Sequence, residues 1–367
     1  MTDVVLDCVD ALRRLETGSD AALYRRAVEA EVSRLSRRPK LTLPRVPNAT
    51  LAKRTWYDTK YIPAAAAASG AVKVERERER EGEREHDGAA AGWLHHRFST
   101  HVGRTKVTLN LYGRTYADVR DSFAGYSYRM LRWVGAMDAE MPPRTDRADQ
   151  RAREGRTVTL HWLLHDLPKR LDARGVSSAK AASRQTICPH MVNTGYTWPM
   201  QTAGVIVLYR KEDAFKVFIH ETIHLFGYDL LLLNGSARTM RVPRSEHIVV
   251  DMREVVCELF ARLYYIADAA VGVLPIPIPD SEPTVAAHLT RNAIWGVTRA
   301  EALLRFSSNG RHGLASIIGP GPPDGLLYSE TTPAFSYYVA TGVLLYMLDA
   351  PSPKPSPPAP HLRCGGR

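Results

Sequence analysis

The chain predicts an α+β fold: a small mixed sheet packed on one buried helix, with a mainly helical C-terminal part. Three observations lead there. Residues 106–112, 158–164 and 204–210 are short runs rich in β-branched and aromatic residues, as strands are. Residues 214–226 include Phe215, Val217, Phe218, Ile219, Ile223, Leu225 and Phe226, a helix apolar nearly all round and therefore buried. Helical spacing then dominates, at 251–267, 285–306 and 333–348. With 367 residues, 44% of them hydrophobic, the chain can bury a sizeable core in one large domain or two.

Residues 1–63 read as a helical N-terminal segment. Val4, Val5, Cys8, Val9 and Leu12 recur at helical spacing, and Gly18-Ser19-Asp20 offers a break and an N-cap before a second helix. Residues 39–63 are Pro-punctuated and irregular, with Trp56, Tyr57 and Tyr61 as anchors. Residues 64–92 run from Ala repeats to alternating Glu and Arg to Ala and Gly; this composition buries little and predicts a disordered linker. The ordered domain is expected to span 93–349, and the Pro-rich tail 350–367 to be disordered.

Within that domain, strand 106–112 precedes a long helix, 116–137, whose inner side carries Phe123, Tyr126, Met130, Leu131 and Val134. Residues 141–156 are polar and loop-like, and 190–199 reads as a loop from its Asn, Gly and Pro content. Strand 204–210 runs almost directly into the buried helix. Glu212 and Asp213 stand at that helix's start, where negative charge suits the helix dipole. Asn234-Gly235-Ser236 is a turn, the prolines between 275 and 283 mark an extended loop, and 319–323 is another loop.

Net charge is +10, but the arginines are scattered and no basic block stands alone, so no specific nucleic-acid partner is expected. Cys8, Cys188, Cys257 and Cys364 show no paired spacing and read as free thiols of a reducing compartment. The first residues carry Asp3, Asp7 and Asp10 and no apolar core of a signal peptide. The apolar run 339–348 is too short to span a bilayer. The expectation is a soluble, intracellular, cytoplasmic protein with no membrane partner. Its oligomeric state is open.

The chemistry centres on His220-Glu221-Thr222-Ile223-His224. Residues four apart lie on one face of a helix, so both imidazoles can reach one metal ion, and a pair at that spacing suits zinc. Glu221, next to the first histidine, is placed to act as a base toward water. A catalytic zinc needs a third protein ligand. Glu254 and Glu258 lie one turn apart on the helix 251–267, on a face shared with Cys257, Ala261 and Tyr265 and opposite Val255, Val256, Leu259, Phe260 and Leu263. Small residues beside two stacked carboxylates imply close approach of another helix.

This pattern resembles the gluzincin branch of the zincin metallopeptidases, in which His-Glu-x-x-His is followed by a helix bearing Glu-x-x-Ala. Glu258-Leu259-Phe260-Ala261 matches as it stands. The resemblance implies a zincin-like catalytic domain acting on a polypeptide substrate. Zn2+ would be held by His220, His224 and Glu258, with Glu221 as general base and Glu254 orienting an imidazole. The alternative register makes Glu254 the ligand, with Glu258 behind it. The resemblance further implies that Val205–Arg210 is an edge strand beside the substrate and that Asn193 and Gly195 flank the cleft. Tyr337 or Tyr338 would stabilise the oxyanion, with His190 and Tyr196 as further candidates. The spacing to Gly227 is also similar to the start of the metzincin signature, but Leu230 stands where that signature has a third histidine and Asp229 is one residue short. The likeness covers less than a third of the chain. The Ala/Arg/Pro-rich remainder resembles uncharacterised zincin-like proteins of large DNA viruses, which would make the protein virion-associated.

Two other readings stand beside this one. A catalytically silent zincin-like binding or structural protein would have no need of Glu221. A basic nucleic-acid-binding protein with a chance motif would be expected to show zinc-finger spacing, a helix-turn-helix or a clustered basic stripe.

Overall fold

Among the described residues, six strands form one mixed sheet: β1 (Arg45–Val46), β2 (Trp93–Val102), β3 (Thr105–Gly113), β4 (Thr157–Leu163), β5 (Gly195–Thr197) and β6 (Ala203–Leu208). Their order across the sheet is β1-β2-β3-β4-β6-β5. β3, β4 and β6 run parallel, and β1, β2 and β5 join antiparallel. The structure is a computed structural model that describes residues 19–37, 43, 45–46, 93–140, 156–166, 169, 171, 186–187, 189–198, 203–233, 239–242, 248–270, 285–308, 310, 312–318 and 328–349. The expected linker 64–92 and tail 350–367 lie outside the described residues, as do the helix expected before Gly18, the aromatic anchors at 56–61, most of the loop 141–156, the turn 234–236 and the loops at 275–283 and 319–323.

The helices are α1 (Ser19–Arg37), α2 (Tyr116–Glu140), α3 (Pro189–Val192), α4 (Ala214–Phe226), α5 (Tyr228–Leu233), α6 (Met252–Ala270), α7 (Val285–Ser307), α8 (Ala315–Ile318) and α9 (Thr341–Asp349). A π-helical stretch, Phe335–Ala340, leads directly into α9. A second, two-stranded sheet pairs β7 (Thr239–Arg241) with β8 (Val249–Asp251). The molecule is thus an α+β protein with a small mixed sheet and a helical C-terminal part. No helix among the described residues is long and apolar enough to cross a membrane.

One core lies between the main sheet and α2 and α4. Val107, Leu109 and Leu111 of β3, Val158 and Leu160 of β4, and Ile206 and Leu208 of β6 meet Phe123, Met130, Leu131 and Val134 of α2 and Phe215, Phe218 and Ile219 of α4. Every residue of α4 is buried, as its apolar circumference requires. The N-terminal α1 joins the same core through Tyr24, Val28 and Leu35, and the Gly103 amide donates to the Tyr24 hydroxyl at 3.0 Å. A second core, with Val192, Val250, Val255, Leu303, Tyr328, Phe335 and Tyr338, holds the helical C-terminal part against the other side of α6.

Two local devices place α4. Asp213, at its N-cap, has φ +57°, a left-handed conformation that Asp tolerates better than most residues, so the chain turns sharply from β6 into the helix. Gly204 lets β6 lie close beneath α4, since a Cβ there would stand 2.1 Å from the Leu225 side chain.

The structure corrects two expectations. Strand 205–210 is not at the sheet edge: β6 pairs with β4 on one side and β5 on the other. The expected loop 190–199 supplies both α3 and β5, and β5 is the outermost strand on that side.

A buried ionic clamp joins the helices. Asp268 of α6 accepts from Arg129 Nε at 2.8 Å and also from the Arg132 guanidinium, all three side chains being almost fully inaccessible. The Arg129 guanidinium also lies over the Phe215 ring, 4.0 Å from its centre, and so ties α2 and α6 to the start of α4. Removing the carboxylate takes from both buried guanidiniums the partner they share. Asp268→Ala should therefore destabilise the protein by about 3–5 kcal/mol and lower the thermal midpoint by at least about 6 °C. A calorimetric shift smaller than about 2 °C would contradict the clamp.

Candidate metal centre

His220 and His224 project from the same face of α4, one turn apart, toward α6. Three atoms converge between the two helices. His220 Nε2 and His224 Nε2 are 3.2 Å apart, and each is 3.1 Å from Glu254 Oε2. If both Nε2 atoms carried protons to bond Glu254, the two N–H groups would face each other. A cation inside the triangle removes that conflict. Zinc bonded tetrahedrally at about 2.0–2.1 Å places its ligand atoms roughly 3.3 Å from one another, so the spacing fits. These three residues could hold one ion.

The register of the two α6 carboxylates is the reverse of the first expectation. Glu254, not Glu258, closes the triangle with the histidines. Glu258 lies one turn further on, where Lys216 Nζ donates to its Oε1 at 2.5 Å and Arg262 donates from Nε at 2.9 Å and Nη2 at 2.8 Å. A carboxylate oxygen bound by two cations is poorly placed to serve a metal as well. Its other oxygen stands 3.4 Å from His220 Nδ1, close but outside hydrogen-bond geometry. Burial resists the charge on Glu258, but Lys216 and Arg262 hold its carboxyl well below the usual range.

His224 is backed in a parallel way. Gly227 ends α4 in a left-handed conformation, φ +74°, and α5 starts at once. The chain therefore doubles back and brings Asp229 Oδ2 to 3.2 Å from His224 Nδ1, while Arg253 Nε holds the same oxygen at 2.5 Å. Cys257 Sγ is 3.6 Å from that Nδ1 and makes a second cluster with His224 and Asp229. Burial raises the Cys257 thiol to about 12, so it stays protonated. Burial opposes protonation of both imidazoles, yet Glu254 and Glu258 raise His220, and Asp229 with Cys257 and Glu254 raises His224. In the metal-free protein a proton therefore competes for the place of the ion.

Glu221 lies on the wall of a cleft that reaches His220. Burial raises its carboxyl above the ordinary value. Asn193, Thr194 and Gly195 border the same cleft, and β5 continues from them. Gly195 has no room for a side chain: a Cβ would stand 2.7 Å from the Val207 carbonyl oxygen. The Asn193 side-chain oxygen accepts from the Thr332 hydroxyl at 3.2 Å, which ties this border to the C-terminal part.

The π-helical stretch presents two tyrosines to the cleft. Tyr337 lies edge-on to His220, with ring centres 5.7 Å apart. Burial, and then the charges of Glu254, Glu221 and Glu258, push its phenol well above the ordinary value and keep it a donor. The Tyr338 hydroxyl instead donates to the Val192 carbonyl at 3.1 Å, which suits bracing α3 rather than chemistry. His190 lies in α3, and nothing is described of its side chain. Tyr196 packs edge-on against Trp198, away from the triangle. Two cleft residues were missed from the sequence, Lys216 and Lys169. Lys216 carried a signal, since it lies four residues before His220 on the same face of an otherwise apolar helix.

No protein-family model matches the chain, and no curated protein or solved structure matches it either. The resemblance to zincins thus rests on the motif residues of the sequence. The structure defines an α+β protein with a buried cluster of His, Glu, Asp and Cys residues consistent with a metal-binding site.

The two carboxylates separate by mutation. Glu254→Ala should abolish tight zinc binding. Glu258→Ala, which removes the carboxylate beside His220 together with the partner of Lys216 and Arg262, should weaken it by about 10–100-fold. Competition against a chelator measures both, and the reverse order would restore Glu258 as the ligand.

Proposed function

We propose that the protein is a zinc-dependent metallopeptidase, with Zn2+ held by His220, His224 and Glu254. The observation that carries the reading is the triangle of His220 Nε2, His224 Nε2 and Glu254 Oε2, with sides of 3.1 to 3.2 Å, next to a cleft walled by Glu221. When bound, zinc supplies Lewis acidity that lowers the pKa of water and polarises a carbonyl. Glu221 accepts the proton that the attacking water loses and returns it to the departing amine. The Tyr337 hydroxyl donates to the oxygen on which negative charge develops. Asp229 holds the His224 ring through its Nδ1 side, and the Glu258 carboxylate stands beside the Nδ1 of His220. A polypeptide substrate is favoured because β5, the outermost strand, leads away from the cleft border, and an extended chain can add to such an edge.

Glu221→Gln separates binding from chemistry. Gln is nearly isosteric but cannot take up a proton, so the variant should keep one zinc per chain and lose at least about 100-fold in peptide hydrolysis. Metal analysis and a peptide cleavage assay on the same preparation check this. A variant that holds zinc and still cuts at the wild-type rate would remove Glu221 from the mechanism.

A further inference from the structure

The cleft beside His220 and Glu221 contains two lysines that the proposed hydrolysis does not use. Lys216 and Lys169 both line it, with side chains 11% and 9% exposed. Burying an ammonium is costly, and an apolar residue would pack in either place without that cost. Among the described residues, Lys216 Nζ donates to Glu258 at 2.5 Å and Lys169 Nζ to Asp213 at 2.9 Å. An ammonium has three donors, so each lysine has capacity for a further acceptor.

The acids around the lysines are already engaged. Glu258 is shared by Lys216 and Arg262, Asp213 serves Lys169, and Glu212 accepts from the Lys169 backbone amide at 2.6 Å. Burial pulls the Lys216 ammonium below its ordinary value, with Glu258 working against that; burial opposes the charge on Lys169 too, but Tyr338 and Asp213 outweigh it and raise that ammonium above its ordinary value.

A second hollow shares Lys169, Val192 and Tyr338 with the first. It adds Arg299 and Trp295 and has no acidic side chain in its lining. Lys216, Lys169 and Arg299 therefore form a basic path leading away from the reacting centre.

Resting on the metallopeptidase reading, we infer that this pocket selects substrates with a carboxylate immediately beside the scissile bond, received by Lys216 and Lys169. The carboxylate has two possible sources, an Asp or Glu side chain or the terminal carboxylate of the substrate chain. The first makes an endopeptidase cutting beside acidic residues, the second a carboxypeptidase.

The zinc-loaded protein is offered randomised octapeptides, N-acetylated, in C-terminally amidated and free-acid sets. Mass spectrometry reads the residues on both sides of each cut bond. Hydrogen bonds to a charged group predict that Asp and Glu exceed Asn and Gln on one side by at least about tenfold in the amidated set, or that cutting occurs only at the free C-terminal end. Lys169→Met should bring that ratio to within about twofold, with a circular dichroism spectrum like that of the wild type showing that the fold is intact. Cleavage with neither preference overturns the inference and leaves the peptidase reading standing.

Calorimetry with Ac-Gly-Glu-Gly-NH2, Ac-Gly-Gln-Gly-NH2 and Ac-Gly-Gln-Gly-OH is the second arm and needs no turnover. Preferred binding of the Glu peptide or of the free acid, lost in Lys169→Met, supports the pocket even if nothing is cut, in which case the peptidase reading falls instead. No cleavage and equal binding of the three peptides overturns both.

Discussion

The close approach of α6 to α4 is the constraint on which the site depends. Cys257 and Ala261, both fully buried, are the small residues at the contact. They let Glu254 reach the Nε2 atoms of two histidines on a neighbouring helix. A larger side chain at either position would push α6 outward and open the triangle. α4 in turn is held between β6 and α6, with Gly204 allowing the strand beneath it and the Arg129–Arg132–Asp268 clamp fixing its first turn. The sheet and the helical C-terminal part therefore meet at the one place where the chemistry is proposed.

Charge is allotted around the triangle in a repeated pattern. Behind each imidazole stands a carboxylate, and behind each carboxylate stands a cation: Glu258 with Lys216 and Arg262 at His220, Asp229 with Arg253 at His224. Burial resists the charge on both backing carboxylates; Lys216 and Arg262 lower Glu258, and the His224 hydrogen bond, then Arg253, lowers Asp229. An ionised partner on the Nδ1 side leaves Nε2 directed at the centre. Glu254 has no such cation among its described contacts, and its negative charge faces the place proposed for the ion.

Much of this organisation was legible in the chain. The apolar circumference of 214–226 identified the buried helix, its His-Glu-x-x-His spacing identified the paired imidazoles, and the small residues on the later helix identified its packing face. Strand β2 was not legible because His95, His96, Arg97, Ser99 and His101 break the apolar alternation that marks a strand. β5 is three residues long, too short for any period, and exists because it pairs with β6. The order of Glu254 and Glu258 could not be read from periodicity, since both lie on one face and the helix crossing decides which meets the histidines. A weaker signal was present: Arg262 follows Glu258 by four residues and Lys216 precedes His220 by four, which marks Glu258 as an ion-pair partner. Lys169 carried no signal at all, lying in an Arg- and Ala-rich stretch without period.

X-ray absorption at the zinc edge of the purified, zinc-loaded protein tests the central claim most directly. The account predicts one zinc with two imidazole nitrogens and carboxylate or solvent oxygens, all at about 2.0–2.1 Å, and no sulfur. A sulfur at about 2.3 Å would move the ion to the neighbouring cluster of His224, Asp229 and Cys257. That result, or a protein that retains no zinc, would contradict the assignment of His220, His224 and Glu254 as the metal centre.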